Sequence, residues 1–276
     1  MSEDINERSQ GTALITGASS GIGARYTDWL ARRGHDLLLV ARDRARLEAL
    51  ATRLTDDTGR AVTVIGADLT TKADLARVEQ VLRTDAHITV LVNNAGIAMS
   101  GDLASADPDQ LERMIQLNVL APSRLALAAL PGFVARGSGT LINISSVLAL
   151  APEMFNGSYS GTKAYLLNLS VRLQQEVAGT GVRVQVVLPG ATRTAIWEKA
   201  GTDIAALPPG IVIDVDDMVD AALVGLDRGE SVTIPSLPDI ADWEAYTAAR
   251  LHLGPNLSRR HAADRYKTVD HASASA

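Results

Sequence analysis

The sequence predicts an α/β fold: a doubly wound parallel sheet of about seven strands with helices on both faces. From residue 12 to about 236, short apolar runs alternate with helix-length segments that are polar on one side. The runs are rich in Val, Ile and Leu, as parallel strands covered on both faces should be. Strand–helix alternation of this kind is typical of a doubly wound sheet.

The elements follow one another without an internal repeat or a Gly/Ser-rich linker. The predicted strands are Thr12–Thr16, Asp36–Ala41, Val62–Ala67, Ile88–Val92, Thr140–Ile144, Val182–Leu188 and, as a seventh, Ser231–Pro235. The predicted helices between them include Ala24–Arg33, Arg44–Leu54, Asp74–Arg83 and Asp216–Leu226. We therefore expect a single domain over residues 1–276, with its core at 12–236.

Two segments fall outside this alternation. The long interruption is 195–214, where Leu207–Gly210 (LPPG) breaks any helix. The second is a C-terminal extension, 239–276, in which Trp243–Leu253 looks helical. We expect the polar tail Asp264–Ala276 to end in disordered residues.

Composition narrows the classes of function. The net charge is −6 and no basic stripe is present, so we expect no nucleic-acid partner. The absence of cysteine excludes disulfides and thiolate chemistry, and is compatible with a reducing cytoplasm. The first ten residues are polar, no apolar run reaches membrane-spanning length, and the five histidines lack ligand spacing. The expectation is a cytoplasmic protein with neither a membrane span nor a metal site.

A glycine-rich turn lies between the first strand and the first helix. Glycines at this place let the backbone turn tightly and approach a pyrophosphate, which rests on amide groups at the helix N-terminus. The spacing is Gly-x-x-x-Gly-x-Gly rather than the standard Gly-x-Gly-x-x-Gly. The candidate cofactor contacts are Gly17, Ser19, Ser20, Gly21, Ile22 and Gly23.

Tyr159 and Lys163 stand one helical turn apart, on one face of a predicted helix. Carbonyl reduction needs a proton donor whose pKa lies near the working pH, and a free tyrosine at about 10 is too weak. A cation about 4 Å away at an effective dielectric near 20 contributes roughly 4 kcal/mol, or about three pKa units, as an upper estimate. Only four of the 26 basic residues are lysines, which adds weight to Lys163.

Together these motifs resemble the classical branch of the short-chain dehydrogenase/reductase family, and the resemblance covers about residues 12–236. It implies a Rossmann fold and an oxidoreductase that moves a hydride between a nicotinamide cofactor and a carbonyl or secondary alcohol. Tyr159 would be the general acid/base. Ser146, 13 positions before it, resembles the hydroxyl that orients the carbonyl, with Ser145 as the alternative.

The resemblance implies further site residues. Asp68 would meet the adenine ring, Asn93 would be structural, and Asn118 would be the fourth catalytic residue. The other implied cofactor contacts are Asn94, Ala95, Gly96, Tyr159, Lys163, Pro189, Gly190, Thr192 and Thr194. The backbone at Thr192 and the hydroxyl of Thr194 would hold the nicotinamide carboxamide.

The spacing of Asn118 and Pro122 adds a hypothesis about proton supply. Pro122 has no N–H, so the Asn118 carbonyl loses its usual helical partner and the helix should bend there. A freed carbonyl could hold a water that links Lys163 to solvent as a proton relay.

The end of the second strand bears on the choice of cofactor. By the resemblance, Ala41 occupies the position where an acidic residue would bind the ribose of NAD, and Arg42, which follows it, offers a donor fork suited to a phosphate. Asp43 is a complication, because its carboxylate could still reach a ribose. The pattern favours NADP(H), with NAD(H) as the alternative.

The resemblance implies a small carbonyl or alcohol substrate, whose structure the sequence does not specify. Its pocket would be bordered by residues 146–158 and 195–214. Leu148, Leu150, Met154, Phe155, Ile196 and Trp197 suggest an apolar or mixed pocket. Alternatives are an epimerase or dehydratase of the extended branch, and a non-catalytic cofactor-binding sensor or scaffold. The resemblance also implies a homodimer or homotetramer.

Overall fold

A computed structural model describes residues 9–199, 201, 203–208 and 210–267. In this part of the chain, seven strands form one sheet in which every neighbouring pair is parallel. The order across the sheet is β3-β2-β1-β4-β5-β6-β7. The strands are β1 Thr12–Thr16, β2 Asp36–Ala41, β3 Val62–Gly66, β4 Ile88–Asn93, β5 Gly139–Ile144, β6 Val182–Val187 and β7 Val232–Thr233. The predicted doubly wound sheet is confirmed.

Helices cover both faces of the sheet. They are α1 Gly21–Arg32, α2 Arg44–Thr58, α3 Lys72–Thr84, α4 Pro108–Ile115, α5 Ala121–Arg136, α6 Gly157–Glu176, α7 Ile196–Lys199, α8 Val215–Asp227 and α9 Ile240–His252. Side chains from successive positions of a strand point to opposite faces. Accordingly Leu14 belongs to the apolar cluster shared with α3, α5 and α6, and Ile15 to the cluster shared with α1, α2 and α8. Both residues are fully buried.

The helical run formed by α4 and α5 is interrupted by an irregular turn. Between α4 and α5 the chain forms a π-helical turn, Gln116–Leu120. The amide of Ala121 bonds to the carbonyl of Gln116, five residues earlier. Pro122 follows directly and cannot donate a backbone hydrogen bond, which accounts for the widened turn. The disturbance predicted around Asn118 is therefore present, in the form of a π-turn.

The predicted bounds differ from the observed ones mainly at the ends of elements. The seventh strand is only Val232–Thr233, shorter than predicted, because it pairs with β6 over two residues before the chain turns away. The first helix begins at Gly21, three residues earlier than predicted, since the glycine turn leads straight into it. Of the predicted disordered tail, residues 268–276 lie outside the described residues.

By its internal contacts the chain divides into two units, Met1–Ser236 and Leu237–Ala276. The first unit contains the whole sheet. The second contains α9, on which the rings of Trp243 and Tyr246 stack with centroids 5.5 Å apart.

One helical run, Pro108–Arg136, is long and apolar enough by length and composition to cross a membrane, with a mean hydropathy of 1.4 in its most apolar window. The expectation that no apolar run reaches membrane-spanning length is wrong, because this run meets the criteria of length and composition. However, 44% of the window is buried within the fold, where α5 packs on β4, β5 and α3. Core helices commonly meet this criterion, so the run is weak evidence for a membrane span.

Candidate active site

The glycine turn between β1 and α1 is too closely packed for side chains at two of its glycines. Gly17 has φ +66°, and a Cβ there would lie 2.7 Å from Asn94 Nδ2. A Cβ on Gly23 would lie 2.3 Å from the Gly17 carbonyl oxygen. The turn leads into the N-terminus of α1, where Ser20 is the N-cap residue and makes no side-chain capping bond. The turn lines an open cleft, and the backbone amides at the start of α1 lie where the sequence predicts a pyrophosphate.

The two asparagines that follow β4 have different contacts. Asn93 is buried and donates to the carbonyl of Pro122 at 3.2 Å and to Asn143 Oδ1 at 3.0 Å. Asn94 lines the cleft above the sheet and donates to the carbonyls of Thr16 at 2.9 Å and Gly17 at 3.2 Å. Asn93 thus ties β4 to β5 and α5, and Asn94 holds the glycine turn in shape.

Arg42 and Asp43, at the end of β2, differ in their contacts. The Asp43 carboxylate caps α2 by accepting a 3.0 Å bond from the Arg46 amide, and its second oxygen lies 3.6 Å from the Arg46 guanidinium. Arg42 lines the cleft and has no ion pair within the described residues. Asp68, across from it, bonds to Thr70; burial raises its pKa, but these bonds and the nearby arginines lower it overall.

Tyr159 and Lys163 lie on the buried face of α6. The Lys163 ammonium donates to the Ile144 carbonyl at 3.0 Å and lies 5.6 Å from the centroid of the Tyr159 ring. A Cβ on Gly96 would be 3.6 Å from Lys163 Nζ, so the Gly96 segment closes over the lysine. Both side chains are over 90% buried and both line the cleft.

Burial controls the protonation of this pair. It raises the pKa of Tyr159 to about 12, although the hydrogen bond with the Ser146 side chain lowers it in part. It lowers the pKa of Lys163 to about 8. Burial therefore acts against the lowering of the phenol pKa that is expected from the lysine. The ammonium donates to the Ile144 carbonyl, and the loss of water around the phenol is the largest influence on the Tyr159 pKa.

The neighbouring serines face different groups. Ser145 donates to the Lys163 carbonyl at 2.8 Å and is buried. Ser146 accepts from the Leu148 amide at 3.2 Å, interacts with Tyr159 through its hydroxyl, and lines the cleft. The structure brings the hydroxyl of Ser146, rather than that of Ser145, to the phenol.

Asn118, on the π-turn, lies behind the cleft and does not line it. Its amide oxygen accepts from the Ile97 amide at 3.0 Å, and its nitrogen donates to the Ile97 carbonyl at 2.8 Å and to Thr162 Oγ1 at 3.1 Å. Asn118 is 2% exposed. Its side chain therefore fastens the segment after β4 to α6.

The segment that follows β6 crosses the cleft. Thr192 is buried, donates to the Gly190 carbonyl at 3.1 Å and pairs with Ile213 through a parallel bridge. A Cβ on Gly21 would be 3.1 Å from Thr194 Cγ2, so Thr194 lies against the glycine turn. The predicted residues of this segment thus meet those of the turn.

Most of this chain matches a known protein family. The family model described as short chain dehydrogenase matches residues 11–205. The chain belongs to the short-chain dehydrogenase family. Among curated relatives, an uncharacterised oxidoreductase of Staphylococcus saprophyticus is 32% identical over 223 residues, which are 80% of this chain and 93% of the relative.

Two solved structures, of a short-chain dehydrogenase and of an alcohol dehydrogenase, are more similar. One, from Sphingobium yanoikuyae in complex with NADPH, is 53% identical with a TM-score of 0.91, covering 93% of this chain and 100% of that one. The other is a bulky-bulky ketone specific alcohol dehydrogenase from Comamonas testosteroni, 46% identical with a TM-score of 0.86, covering 93% and 98%. The chain is accordingly an oxidoreductase of the short-chain dehydrogenase type.

A cleft of about 1690 Å³ joins these parts of the short-chain dehydrogenase fold. At one end are the glycine turn and Arg42, and at the other an apolar chamber beside Tyr159. Of the six side chains predicted for the chamber, five line the cleft: Leu148, Met154, Phe155, Ile196 and Trp197. The prediction for Leu150 is wrong, because it ends the 3-10 turn Val147–Ala149 outside the lining.

Several lining residues were not assigned from the sequence. They are Ile97, Met99, Gln110, Arg113, Met114, Leu117 and Asp217. Four of them share one face of the helical run after β4, at spacings of three and four residues. That periodicity was a usable signal, but it does not tell a cleft-facing stripe from a core-facing one. Within the described residues, no group of three His, Asp or Glu side chains could hold a metal ion.

Proposed function

We propose that this short-chain dehydrogenase is an NADP(H)-dependent reductase, which transfers a hydride between the nicotinamide and a carbonyl or secondary alcohol. The supporting observation is that Ser146, Tyr159 and Lys163 line the same cleft as the glycine turn. An epimerase or a sensor would need the same cleft, but a sensor has no use for the intact proton-donor set, and the apolar chamber favours reduction of an apolar ketone.

The residues of the cleft fit a dinucleotide. The turn lines the cleft with Gly17, Ser19, Ser20, Gly21 and Ile22, at the N-terminus of α1 where backbone amides are available for a pyrophosphate. Gly23 packs against the Gly17 carbonyl instead and keeps the turn tight. Arg42 is available for a 2′-phosphate, whereas Asp43 is occupied in capping α2. The NADPH complex of the Sphingobium relative supports the same choice. When bound, the cofactor supplies the hydride.

The chain's own groups would handle the proton. Ser146 orients the substrate oxygen, and Tyr159 donates its proton to that oxygen during reduction. Because its pKa is about 12, Tyr159 is protonated at neutral pH and ready to donate. Lys163 is cationic below about pH 8, and its charge stabilises the phenolate that remains. Asn118 fastens the segment above Lys163 to α6. In the oxidative direction the proton returns to Tyr159.

The substrate we propose is a ketone with two bulky apolar substituents. The chamber beside Tyr159 is lined by aliphatic, thioether and aromatic side chains, and the Comamonas relative is specific for bulky-bulky ketones. Apolar walls stabilise such substituents through burial, at roughly 25 cal/mol per Å².

The decisive experiment is Tyr159→Phe. NADPH oxidation with a bulky ketone should be abolished, while NADPH binding, followed by fluorescence, stays within twofold of wild type. Full activity in the variant would contradict the assignment of Tyr159. Wild-type protein that binds NADPH but reduces no ketone would favour the sensor.

The proposal includes a homodimer or homotetramer in the cytoplasm. Large apolar side chains are exposed on the first unit: Leu120 on the π-turn, Leu127 on α5 and Tyr165 on α6. Burial of such side chains against a second copy would remove apolar surface from water. Light scattering at micromolar concentration should give a mass of two or four chains, and a monomer would contradict this part of the proposal.

A further inference from the structure

Trp197 is fixed in the wall of the cleft by a bond to the segment after β6. It lies on α7, a single short helix, and its indole Nε1 donates to the carbonyl of Thr192 at 2.9 Å. The side chain is half-buried and lines the cleft. A buried indole N–H generally has a partner, and this one sets the orientation of the ring.

Phe155 joins Trp197 to the proton donor. Its ring lies edge-to-face with Tyr159, with centroids 5.8 Å apart and an 82° angle. On its other side it lies edge-to-face with Trp197, at 6.2 Å and 78°. The three rings therefore form a continuous series from the phenol of Tyr159 to the segment that carries Thr192. We name the pair Phe155 and Trp197 the aromatic wall.

The rest of the chamber is different in character. Leu148, Ile196, Met99 and Met154 are aliphatic or thioether side chains, and Met154 is 70% exposed. Methionine adapts its shape easily, whereas an indole held by a hydrogen bond does not. A substrate in this chamber thus meets one flat, rigid surface and otherwise adaptable ones.

We propose that Trp197 is a specificity-determining residue, which selects ketones carrying an aryl group on one side of the carbonyl. The inference rests on the proposed function. The carbonyl oxygen must come within hydrogen-bond reach of Tyr159, so a substituent that extends along the aromatic wall meets Phe155 first and the indole of Trp197 beyond it. A planar ring gains edge-to-face contacts there that a saturated ring of equal size does not.

Two ketones of equal heavy-atom count test this: 1-phenylpentan-1-one and 1-cyclohexylpentan-1-one. The quantity measured is the ratio of their kcat/KM values with NADPH. Trp197→Leu should lower the ratio of aryl to cyclohexyl ketone by about 3- to 10-fold relative to wild type, from the usual strength of aromatic pairs. Phe155→Leu should lower it in the same direction. Intrinsic differences in reactivity cancel, because each variant is compared with wild type.

Controls separate the wall from general effects on folding. Trp29→Phe removes an indole whose Nε1 has no partner in the described part of the chain and which does not line the cleft, and it should leave the ratio unchanged. Met154→Ala should lower both kcat/KM values without changing their ratio. If Trp197→Leu does not fold, Trp197→Phe and Phe155→Leu carry the test: Trp197→Phe should keep at least half of the preference.

The outcomes are distinguishable from failure of the proposed function. A wild-type enzyme that reduces both ketones, with a ratio unchanged in Trp197→Leu and Phe155→Leu, overturns the role of the aromatic wall and leaves the reductase intact. A wild-type enzyme that binds NADPH but reduces neither ketone overturns the proposed function, and the wall's role with it.

Discussion

The hydroxyl of Ser145 donates a 2.8 Å hydrogen bond to the carbonyl oxygen of Lys163, and so links the end of β5 to the turn of α6 that carries the lysine. Ser146, the next residue, faces the cleft and the phenol of Tyr159 instead. Side chains of adjacent residues in an extended segment point to opposite sides. One serine therefore positions the lysine and the other is available to a substrate.

Alanine should affect mainly the activity at Ser146 and mainly the stability at Ser145. Ser146→Ala should lower kcat/KM by about 100-fold or more, as loss of a donor to a developing charge usually does. Ser145→Ala should lower the free energy of unfolding by about 1 kcal/mol, the usual value of one intramolecular hydrogen bond, with a smaller effect on kcat/KM. Steady-state kinetics and urea unfolding measure the two effects. A larger kinetic loss in Ser145→Ala would exchange the two roles.

The sequence predicts the sheet well because its strands are continuous apolar runs bounded by turns. It predicts the edge strand badly: Val232–Thr233 pairs on one side over two residues, and apolar content does not encode that limit. The π-turn at Gln116–Leu120 could be anticipated only as a disturbance, because Pro122 removes a donor without specifying which bond replaces it.

The candidate site shows a similar division. The positions of Ser146, Tyr159 and Lys163 follow from spacing, since a helix and a strand end have fixed geometry. The pKa values do not follow from spacing, because they depend on burial on all sides, and burial raises the pKa of Tyr159. The hydrogen bond from Trp197 to Thr192 was equally beyond reach, since the loop that brings them together has no periodic pattern.

Two glycines near the catalytic groups should respond differently to alanine. A Cβ on Gly96 would lie 3.2 Å from Asn118 Oδ1 and 3.6 Å from Lys163 Nζ, in a place where Asn118 is held by three hydrogen bonds. We expect Gly96→Ala to lower kcat about tenfold, because small displacements of catalytic groups are costly.

Gly161 is the matched control. It lies on α6 between Tyr159 and Lys163, is exposed, and has nothing within 4 Å of an added Cβ. Gly161→Ala should raise the free energy of unfolding by about 0.5–1 kcal/mol through helix propensity and leave kcat unchanged. Thermal unfolding and kinetics on both variants check this pair. Equal kcat values in Gly96→Ala and wild type would show that Lys163 and Asn118 tolerate displacement.

Arg42 should determine the preference for NADPH over NADH. A guanidinium–phosphate contact is a charge-assisted hydrogen bond worth about 1.5–3 kcal/mol. Arg42→Ala should therefore reduce the ratio of kcat/KM with NADPH to that with NADH by about 10- to 100-fold. The control is Arg44→Ala: Arg44 bonds to Glu48 at 2.7 Å and does not line the cleft. An unchanged ratio in Arg42→Ala, or an equal fall in Arg44→Ala, would remove the assignment.

The buried ammonium of Lys163 should give the protein a recognisable dependence of stability on pH. Burial lowers its pKa from 10.5 to about 8, so below pH 8 the folded and unfolded states are both protonated and the cost of burying the charge is present in full. Between pH 8 and 10.5 the folded state has released its proton while the unfolded state still holds one. Stability therefore rises with pH across this window, relative to a chain without the amine.

The comparison is between wild type and Lys163→Met, by urea unfolding at pH 7 to 10. The free energy of unfolding of wild type should gain on that of the variant as the pH rises above 8, by about 2–3 kcal/mol in total at pH 10. The measurements stop at pH 10. Above pH 10 the unfolded state loses the Tyr159 proton while the folded state keeps it, since burial raises the pKa of Tyr159 to about 12, and this lowers the stability as the pH rises. Lys72→Met removes an exposed lysine and should run parallel to wild type. If the curves for wild type and Lys163→Met run parallel from pH 7 to 10, the ammonium is better solvated, or better paired, than its single bond to the Ile144 carbonyl implies.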